Sequence, residues 1–489
     1  MTAAAWPRGG GWLLCCALVF ALAWLPVQSR SDDATSIAIE NTLPGTPGWL
    51  GPDVTGPAAE VYASATDAAA GDVVDVHVST SPAARYRVLV YRLGWYDGIG
   101  ARRVACLPAC DTGERGSPEP VPPFDSTGYV DAGWPVTDRF TVDPSWVTGY
   151  YLIRVLLLDG EQAGRSATTY LVVRQRRSTS RMLVQVPVNT WQAYNGWGGK
   201  SLYPFSSVDR RQAIRVSFDR PFAWALPGGQ GPRGWELPLV RFIERNGYDV
   251  SYQSDVYTSR HPRSLQRHRL VVVAGHDEYW TRRMRDGFEA ARDTGINLAF
   301  MGANDAYWQV QLRDSGRTIY TWKSMYDPNP DTSRKTAMFR ELLPPRYECE
   351  LIGIQHQGVG LAWQPGDYTV APSATASPWL RDTGLHPGDV VRGVVSVESD
   401  TIPGNQTAAS SCGHALTVLF HRERGSDKDG NADATVYTAP SGARVFASGS
   451  HQFSWALDDF ALDPEQQHGL ADPRVQRLMR NAFDDLTSG

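Results

Sequence analysis

At 489 residues the chain exceeds what one hydrophobic core usually serves, so two or three domains are expected, each with an interior large enough to stand without special staples. Its 47 Lys and Arg against 52 Asp and Glu leave a net charge of -5, and no run of like charge marks a nucleic-acid-binding or membrane-surface tail. The 17 Trp and 20 Tyr suit aromatic-lined clefts, sandwich cores and domain interfaces alike.

The first residues combine a basic Arg8, the apolar run from Trp12 to Leu25 and the small-residue exit Val27-Gln28-Ser29. That pattern predicts a cleavable secretory signal over 1–29; an uncleaved N-terminal anchor is the alternative, and either exports the rest. Cys15 and Cys16 belong to that segment, which leaves Cys106, Cys110, Cys349 and Cys412 as an even set in an oxidising compartment. Two disulfides are expected. Cys106 with Cys110 and Cys349 with Cys412 is the pairing favoured, with the other pairings open. Zinc on the Cys-x3-Cys pair lacks a second pair of ligands at finger spacing.

From Glu60 onward short alternating runs dominate: Val61 to Ser64, Val73 to Val78, Tyr86 to Tyr91 and Tyr150 to Leu158, separated by Gly, Pro and Asp clusters. This predicts an antiparallel, immunoglobulin-like β-sandwich over 36–176. The polar stretch from Arg174 to Arg181 marks a boundary, and an α/β domain is expected over 177–489. There the period alternates. Met182 to Val188, Tyr248 to Tyr252, Leu270 to Ala274 and Ile296 to Met301 read as strands, while Leu237 to Asn246 and Thr281 to Asp293 read as helices. Repeated βα units predict a mostly parallel sheet, joined late by Phe446 to Ser450 and closed by a helix from Pro473 to Leu486. Between about 318 and 445 the text is rich in Gly and Pro, which predicts a β-rich insertion.

Ligands in open parallel sheets bind beyond the carboxyl ends of the strands. Four such ends carry polar, titratable and aromatic residues: Asn189 to Gly199, Gly275-His276-Asp277-Glu278-Tyr279-Trp280, Gly302 to Trp308 and Ser450 to Trp455. Each has a plain structural reading: His276 as a cap, Asp277 and Glu278 as acids favoured in a helix's first turn, Asn304 as a turn residue. Their joint occurrence on neighbouring strand ends favours a site. Tyr151, by pattern alone, reads as the tyrosine corner of a sandwich.

The segments Thr190 to Asn195, Gly275 to Trp280, Gly302-Ala303-Asn304, Ser450 to Trp455 and Leu93 to Arg102 resemble the large (beta) subunit of N,N-dimethylformamidase and its relatives, from about Asn41 to the C-terminus. The α/β part of that family also resembles glutamine-amidotransferase-like domains, although here no cysteine follows the third strand, which disfavours thiol chemistry. The resemblance implies a hydrolase of linear amide C-N bonds holding one ferric ion (Fe3+) through two tyrosines and a glutamate. By motif these match Tyr194, Glu278 and, from the sandwich, Tyr151. It also implies catalytic roles for His276, Asn304 and Glu398, and substrate contact by Phe453 and Trp280.

Phenolate and carboxylate are hard donors suited to a hard trivalent cation. The expected partners are an amide-bearing small molecule, no nucleic acid, and either further copies of the chain or a small second subunit. A noncatalytic exported glycan- or ligand-binding protein is the competing reading. A glycosidase using Glu278 and Glu398 is a third.

Overall fold

The alternating runs of the first part fold as two sheets laid face to face. One has the strands Glu60–Ala63, Val73–Ser79 and Asp138–Thr141; the other orders Asp67–Ala68, Ser166–Val173, Gly149–Leu157, Arg85–Leu93 and Ala101–Leu107, with Glu114–Arg115 on the edge of Arg85–Leu93. Most pairings are antiparallel, but Asp67–Ala68 runs parallel to Ser166–Val173. Period-2 alternation sends Val74, Val76, Val88, Val90, Tyr151, Ile153 and Val155 into the core between the sheets. Their neighbours Leu89, Tyr91, Tyr150 and Leu152 face the other way, into the core of the rest of the protein.

In this computed structural model the described residues are 32–223, 234–359, 366–396, 398–404, 412–423, 431–460 and 470–488. The expected signal segment lies outside them. Among them, no helix is long and apolar enough to cross a membrane. Two disulfides form, Cys106–Cys110 and Cys349–Cys412.

A nine-stranded sheet organises the second part: Val250–Ser254, Met182–Val186, Leu270–Ala274, Asn297–Met301, Arg444–Ala447, Ala432–Thr438, Thr417–Arg422, Gly366–Val370 and Val390–Val395. The expectation of a mostly parallel sheet is corrected. The first five strands run parallel, the remaining pairings are antiparallel, and the sheet is mixed. The reversal has a local cause. Ala432–Thr438 and Arg444–Ala447 are joined by a tight turn closed by Ala439 N–H to Ala443 O at 2.7 Å, and a connection that short can only reverse the chain. The β-rich text between about 318 and 445 thus takes the form of strands that extend the main sheet at its far edge.

The parallel strands Met182–Val186, Val250–Ser254 and Leu270–Ala274 are buried along their whole length because helices and the sandwich cover both faces. Glu236–Arg245 buries Leu237, Leu239, Val240, Phe242 and Ile243 and ends two residues before Gly247, whose φ of +71° few side chains tolerate. Arg282–Asp293 begins at Thr281, whose hydroxyl caps Met284 N–H. Pro473–Thr487 closes the core with Leu478, Met479, Phe483 and Leu486.

One buried ion pair ties the two parts. Arg92, from the six-stranded sheet, meets Glu244 of the Glu236–Arg245 helix at 2.7 Å with both side chains wholly buried. Asn41 and the Tyr252 hydroxyl complete the carboxylate's hydrogen bonds at 2.8 and 2.9 Å. Removing one partner leaves an uncompensated buried charge. Glu244→Ala should therefore lower the free energy of unfolding by about 3–5 kcal/mol, read by urea denaturation. The paired replacement Arg92→Met with Glu244→Leu should recover most of that loss, because it buries no charge at all.

Candidate active site at the strand ends

Four strand ends and one facing strand bring the site together. After Met182–Val186 the chain turns at once into the short helix Val188–Tyr194, whose last residue is Tyr194; after Leu270–Ala274 come His276 and Glu278. The loops after Leu270–Ala274 and Asn297–Met301 approach so closely that a Cβ on Gly302 would lie 1.6 Å from Gly275 O, so only glycine fits. That approach, followed by Asn304 at a φ of +54°, turns the Asn304 side chain toward the site. His451 follows Arg444–Ala447, and Glu398 comes from the Glu398–Thr401 strand, which pairs with Gln355–Val359 across the opening.

Glu278 is the hub. Its carboxylate accepts from the Tyr194 hydroxyl at 3.1 Å, from the Tyr203 hydroxyl at 2.7 Å to each oxygen, and from the Trp308 indole N–H at 2.8 Å. Tyr203 and Tyr194 hydroxyls are themselves 2.9 Å apart. The backbone N–H of Glu278 is anchored on the Thr190 hydroxyl, which locks the two strand-end loops in register.

Beside this hub, His276 Nε2 lies 3.4 Å from an oxygen of Glu278 and 3.4 Å from one of Glu398. Asn304 Nδ2 donates to that same Glu398 oxygen at 3.1 Å, and Asp400 accepts the Asn304 backbone N–H at 2.9 Å. The His451 ring packs against His276 at a tilt of 37°, with ring centroids 4.2 Å apart. Trp235 covers His451 from outside at 4.5 Å. Lys323 closes the inner side: its ammonium sits 3.5 Å over the Tyr203 ring and donates to the Tyr279 hydroxyl at 2.9 Å.

Burial sets the protonation of these groups. It raises Glu278, opposed by Lys323 and by the two phenols. It raises Glu398 to about 7, helped by the charge of Glu278 and opposed by His356 and Asn304. Burial, with the neighbouring His451, His356 and Lys323, holds His276 well below its ordinary value, so its imidazole is neutral. Burial lowers His451 to about 4 and Lys323 to about 8, the latter opposed by Glu278 and Glu398. Burial followed by the Glu278 charge pushes both Tyr194 and Tyr203 well up. Both phenols therefore carry their protons and spend them on Glu278.

Of the residues expected from sequence, Tyr194, Glu278, His276, Asn304 and Glu398 come together here. Tyr151 does not. Its hydroxyl donates to Val147 O at 2.7 Å inside the sandwich core, with its ring stacked on Trp146. That is the tyrosine-corner arrangement, and it corrects the placement of Tyr151 at the site. Trp280 is likewise in a core, fully buried against Phe288 and Phe300, and Phe453 packs among Tyr368, Phe420 and Phe446. Neither has a face open to a substrate. Tyr203, Trp308, Lys323 and His451 are the contributors that sequence reasoning left without a role. Tyr203 had a faint signal, since it stands nine residues past Tyr194, just beyond the Asn189 to Gly199 strand-end segment. Lys323 had none.

Two donor sets stand close to one another. His276, Glu398 and His451 offer ligand atoms within 4.8 Å of each other, the one such group of His, Cys, Asp and Glu among the described residues. His451 Nε2, however, lies 2.9 Å from Ala303 O. A carbonyl only accepts, so that nitrogen carries a hydrogen and not a lone pair for a cation. The other set is the all-oxygen trio of Tyr194, Tyr203 and Glu278.

A family model described as N,N-dimethylformamidase beta subunit-like, C-terminal, matches residues 87–469. The chain belongs to this family. The N,N-dimethylformamidase beta subunit of Alcaligenes sp. is 29% identical over 113 residues, which are 22% of this chain and 15% of that relative's length. The family match spans most of both parts of the fold and every residue of the strand-end cluster.

The raised Glu398 gives a test of the geometry. A carboxyl whose folded pKa of about 7 exceeds its ordinary 4.5 contributes stability that is full below about pH 4.5 and lost as pH rises through 7. Glu398→Gln removes that dependence. Between about pH 5 and about pH 8 the melting temperature of the variant should move upward relative to the wild type; parallel profiles would mean that Glu398 is solvated.

Proposed function

We propose that the protein is a metal-dependent hydrolase of an amide or related C-N bond, with iron at Tyr194, Tyr203 and Glu278. One observation carries the reading: within a family named for an amidase, two phenol oxygens and a carboxylate converge on one another at 2.7 to 3.1 Å. An octahedral oxygen site with bonds of about 2.0–2.1 Å has edges of about 2.8–3.0 Å, so these oxygens fit one face of such a polyhedron. The donors are hard, as a ferric ion prefers, and loading the site releases the two phenol protons that Glu278 now accepts. On this reading Tyr203 takes the place that the family resemblance alone gave to Tyr151.

A cation held this way supplies Lewis acidity toward a carbonyl and lowers the pKa of water. The chain's own groups handle the protons. Glu398, poised near neutral pH, takes a proton from the attacking water in its basic form and returns one to the leaving amine in its acid form. His276, kept neutral, stands within reach of both carboxylates and steers Glu398. Asn304 offers Nδ2 to the developing oxyanion, a contribution of about 3–4 kcal/mol where such donors have been removed from other enzymes. His451 and Trp235 wall the site against water.

The same reading takes the first unit, over 36–176, as an immunoglobulin-like sandwich and the parallel half of the second, over 177–489, as amidotransferase-like. It takes 1–29 as a leader that exports the protein. The Alcaligenes relative is named a beta subunit, which makes a small second subunit or a homo-oligomer the partner to look for.

Metal analysis of the purified protein should find about one iron per chain, with visible absorption from phenolate-to-metal charge transfer. Glu278→Ala should lose the iron, the colour and amidase activity together. Tyr203→Phe should lower iron affinity about 10- to 100-fold or more, whereas Tyr151→Phe should leave iron and colour intact and cost about 1 kcal/mol of stability. Colourless, metal-free wild-type protein, or loss of colour in Tyr151→Phe, would overturn the assignment.

A further inference from the structure

Asn304, the proposed oxyanion donor, has a backbone conformation that few residues other than glycine adopt, and its N–H is bonded to a buried carboxylate that no step of the mechanism uses. Its φ is +54°, and Ala306 repeats that value two residues on. Backbone bonds sew this loop to the segment of Glu278: Ala306 N–H to Asp277 O at 2.9 Å, Tyr307 N–H to Glu278 O at 3.1 Å and Trp308 N–H to Glu278 O at 2.9 Å. His451 Nε2 donates to Ala303 O at 2.9 Å. The Asn304 N–H belongs to neither arrangement. Its acceptor is Asp400 Oδ1 at 2.9 Å, and the two residues are only 4% and 2% exposed.

Asp400 reaches Asn304 because of where its strand lies. In Glu398–Thr401 alternate side chains face opposite ways. Ser399 and Thr401 turn to Asn431 O and the Asp433 carboxylate, whereas Glu398 and Asp400 turn to the loop after Asn297–Met301. The backbone groups of the strand point sideways, toward Gln355–Val359 on one edge and toward Gly449 and Ser450 on the other. A donor lying above the face of the strand is therefore out of their reach, and only a side chain can meet it. One strand thus grips Asn304 twice: Glu398 Oε2 accepts its Nδ2 at 3.1 Å, and Asp400 accepts its backbone N–H. His356, the register partner of Asp400, places Nδ1 3.5 Å from the same Asp400 oxygen.

We propose that Asp400 is a positioning residue, which holds the Asn304 backbone so that the Nδ2 amide stands against both Glu398 and the reacting carbonyl. The catalytic meaning of this role rests on the proposed amide hydrolysis; the positioning itself does not. A carboxylate grips an N–H harder than a neutral carbonyl does, and a buried N–H without an acceptor is costly. With Asp400 removed, the Asn304 backbone relaxes out of the left-handed region and its side chain swings away from Glu398.

The test compares Asp400→Ala, Asn304→Ala and the double variant in the full chain. Asp400→Asn is the conservative variant, because its amide oxygen can still accept the Asn304 N–H. With formamide as the probe, Asp400→Ala should lower kcat about 100-fold with KM little changed, the pattern of a lost oxyanion donor. Asp400→Asn should recover to within about tenfold of the wild type. The double variant should be at most about threefold slower than Asn304→Ala alone, since Asp400 acts through that residue; a merely structural role would add its full loss.

Crystal structures of the variants give a readout that needs no activity. In Asp400→Ala, Asn304 Nδ2 should lie beyond hydrogen-bond distance of Glu398 with Tyr194, Tyr203 and Glu278 unmoved, and in Asp400→Asn it should stay in place. If Asp400→Ala does not fold, Asp400→Ser, whose hydroxyl is too short to reach the N–H, replaces it in both measurements. Wild-type protein without iron or amidase activity defeats the proposed function, and the crystal structures then decide the positioning alone. Asn304 still held at Glu398 in Asp400→Ala, or losses that add in the double variant, would overturn the inference.

Discussion

A carboxylate taken out of water must be hydrogen-bonded, protonated or matched by a cation, and that constraint organises this protein from its interface to its site. Glu244 meets it with Arg92, at 2.7 Å and with no exposed surface on either partner. Glu278 meets it with phenol and indole donors, and with Lys323 nearby but out of direct contact. Glu398 meets it partly by protonation, its pKa lifted to about 7. The three solutions differ in what they leave available. The Arg92 pair is closed and can only hold two layers together, whereas the proposed function has the phenols that donate to Glu278 exchange their protons for a cation.

The direction of the strands explains why the fold concentrates so much unfavourable burial at one end of one sheet. Parallel strands deliver their following loops to the same edge, so His276, Glu278, Asn304 and His451 meet there without long excursions of chain. The antiparallel extension contributes nothing to that edge through its own strand ends. It supplies instead the Glu398–Thr401 strand, whose Asp400 N–H binds Gly449 O at 3.0 Å and thereby swings Glu398 over the parallel half. A mixed sheet is thus what permits a carboxylate to approach the strand-end loops from outside.

Much of this was legible in the sequence where periodicity is strong. Leu270–Ala274 is observed at the bounds the apolar run predicts, and the helix from Pro473 extends one residue past the expected Leu486. The parallel half follows from βα alternation; the antiparallel half escapes because its strands are short and Gly-rich, and strand direction depends on turns rather than on strand text. At the site, His276 and Glu278 were readable because a titratable pair at a buried strand end has few structural uses. Lys323 was not, because its value lies in a left-handed turn, at a φ of +51°, that points an otherwise ordinary lysine inward.

Tyr151 shows what a matched motif leaves undetermined. In the Gly149–Leu157 strand successive side chains face opposite ways, so of the adjacent tyrosines only one can turn toward the strand-end chemistry. Tyr150 does so, joining the core that contains Trp191 and Tyr194, while Tyr151 joins the core between the two sandwich sheets. A one-residue shift of alignment exchanges these faces completely, and sequence similarity in a run such as Gly149-Tyr-Tyr-Leu does not fix the shift. Tyr203 is bound by no such parity, because it sits in a loop whose path is set by the Ser201 and Ser207 hydrogen bonds rather than by a pleat. The second phenol of the site is therefore drawn from the segment whose direction the sequence encodes least directly, and the sandwich contributes rigidity and a buried hydroxyl at Tyr150 instead of a ligand to the proposed iron.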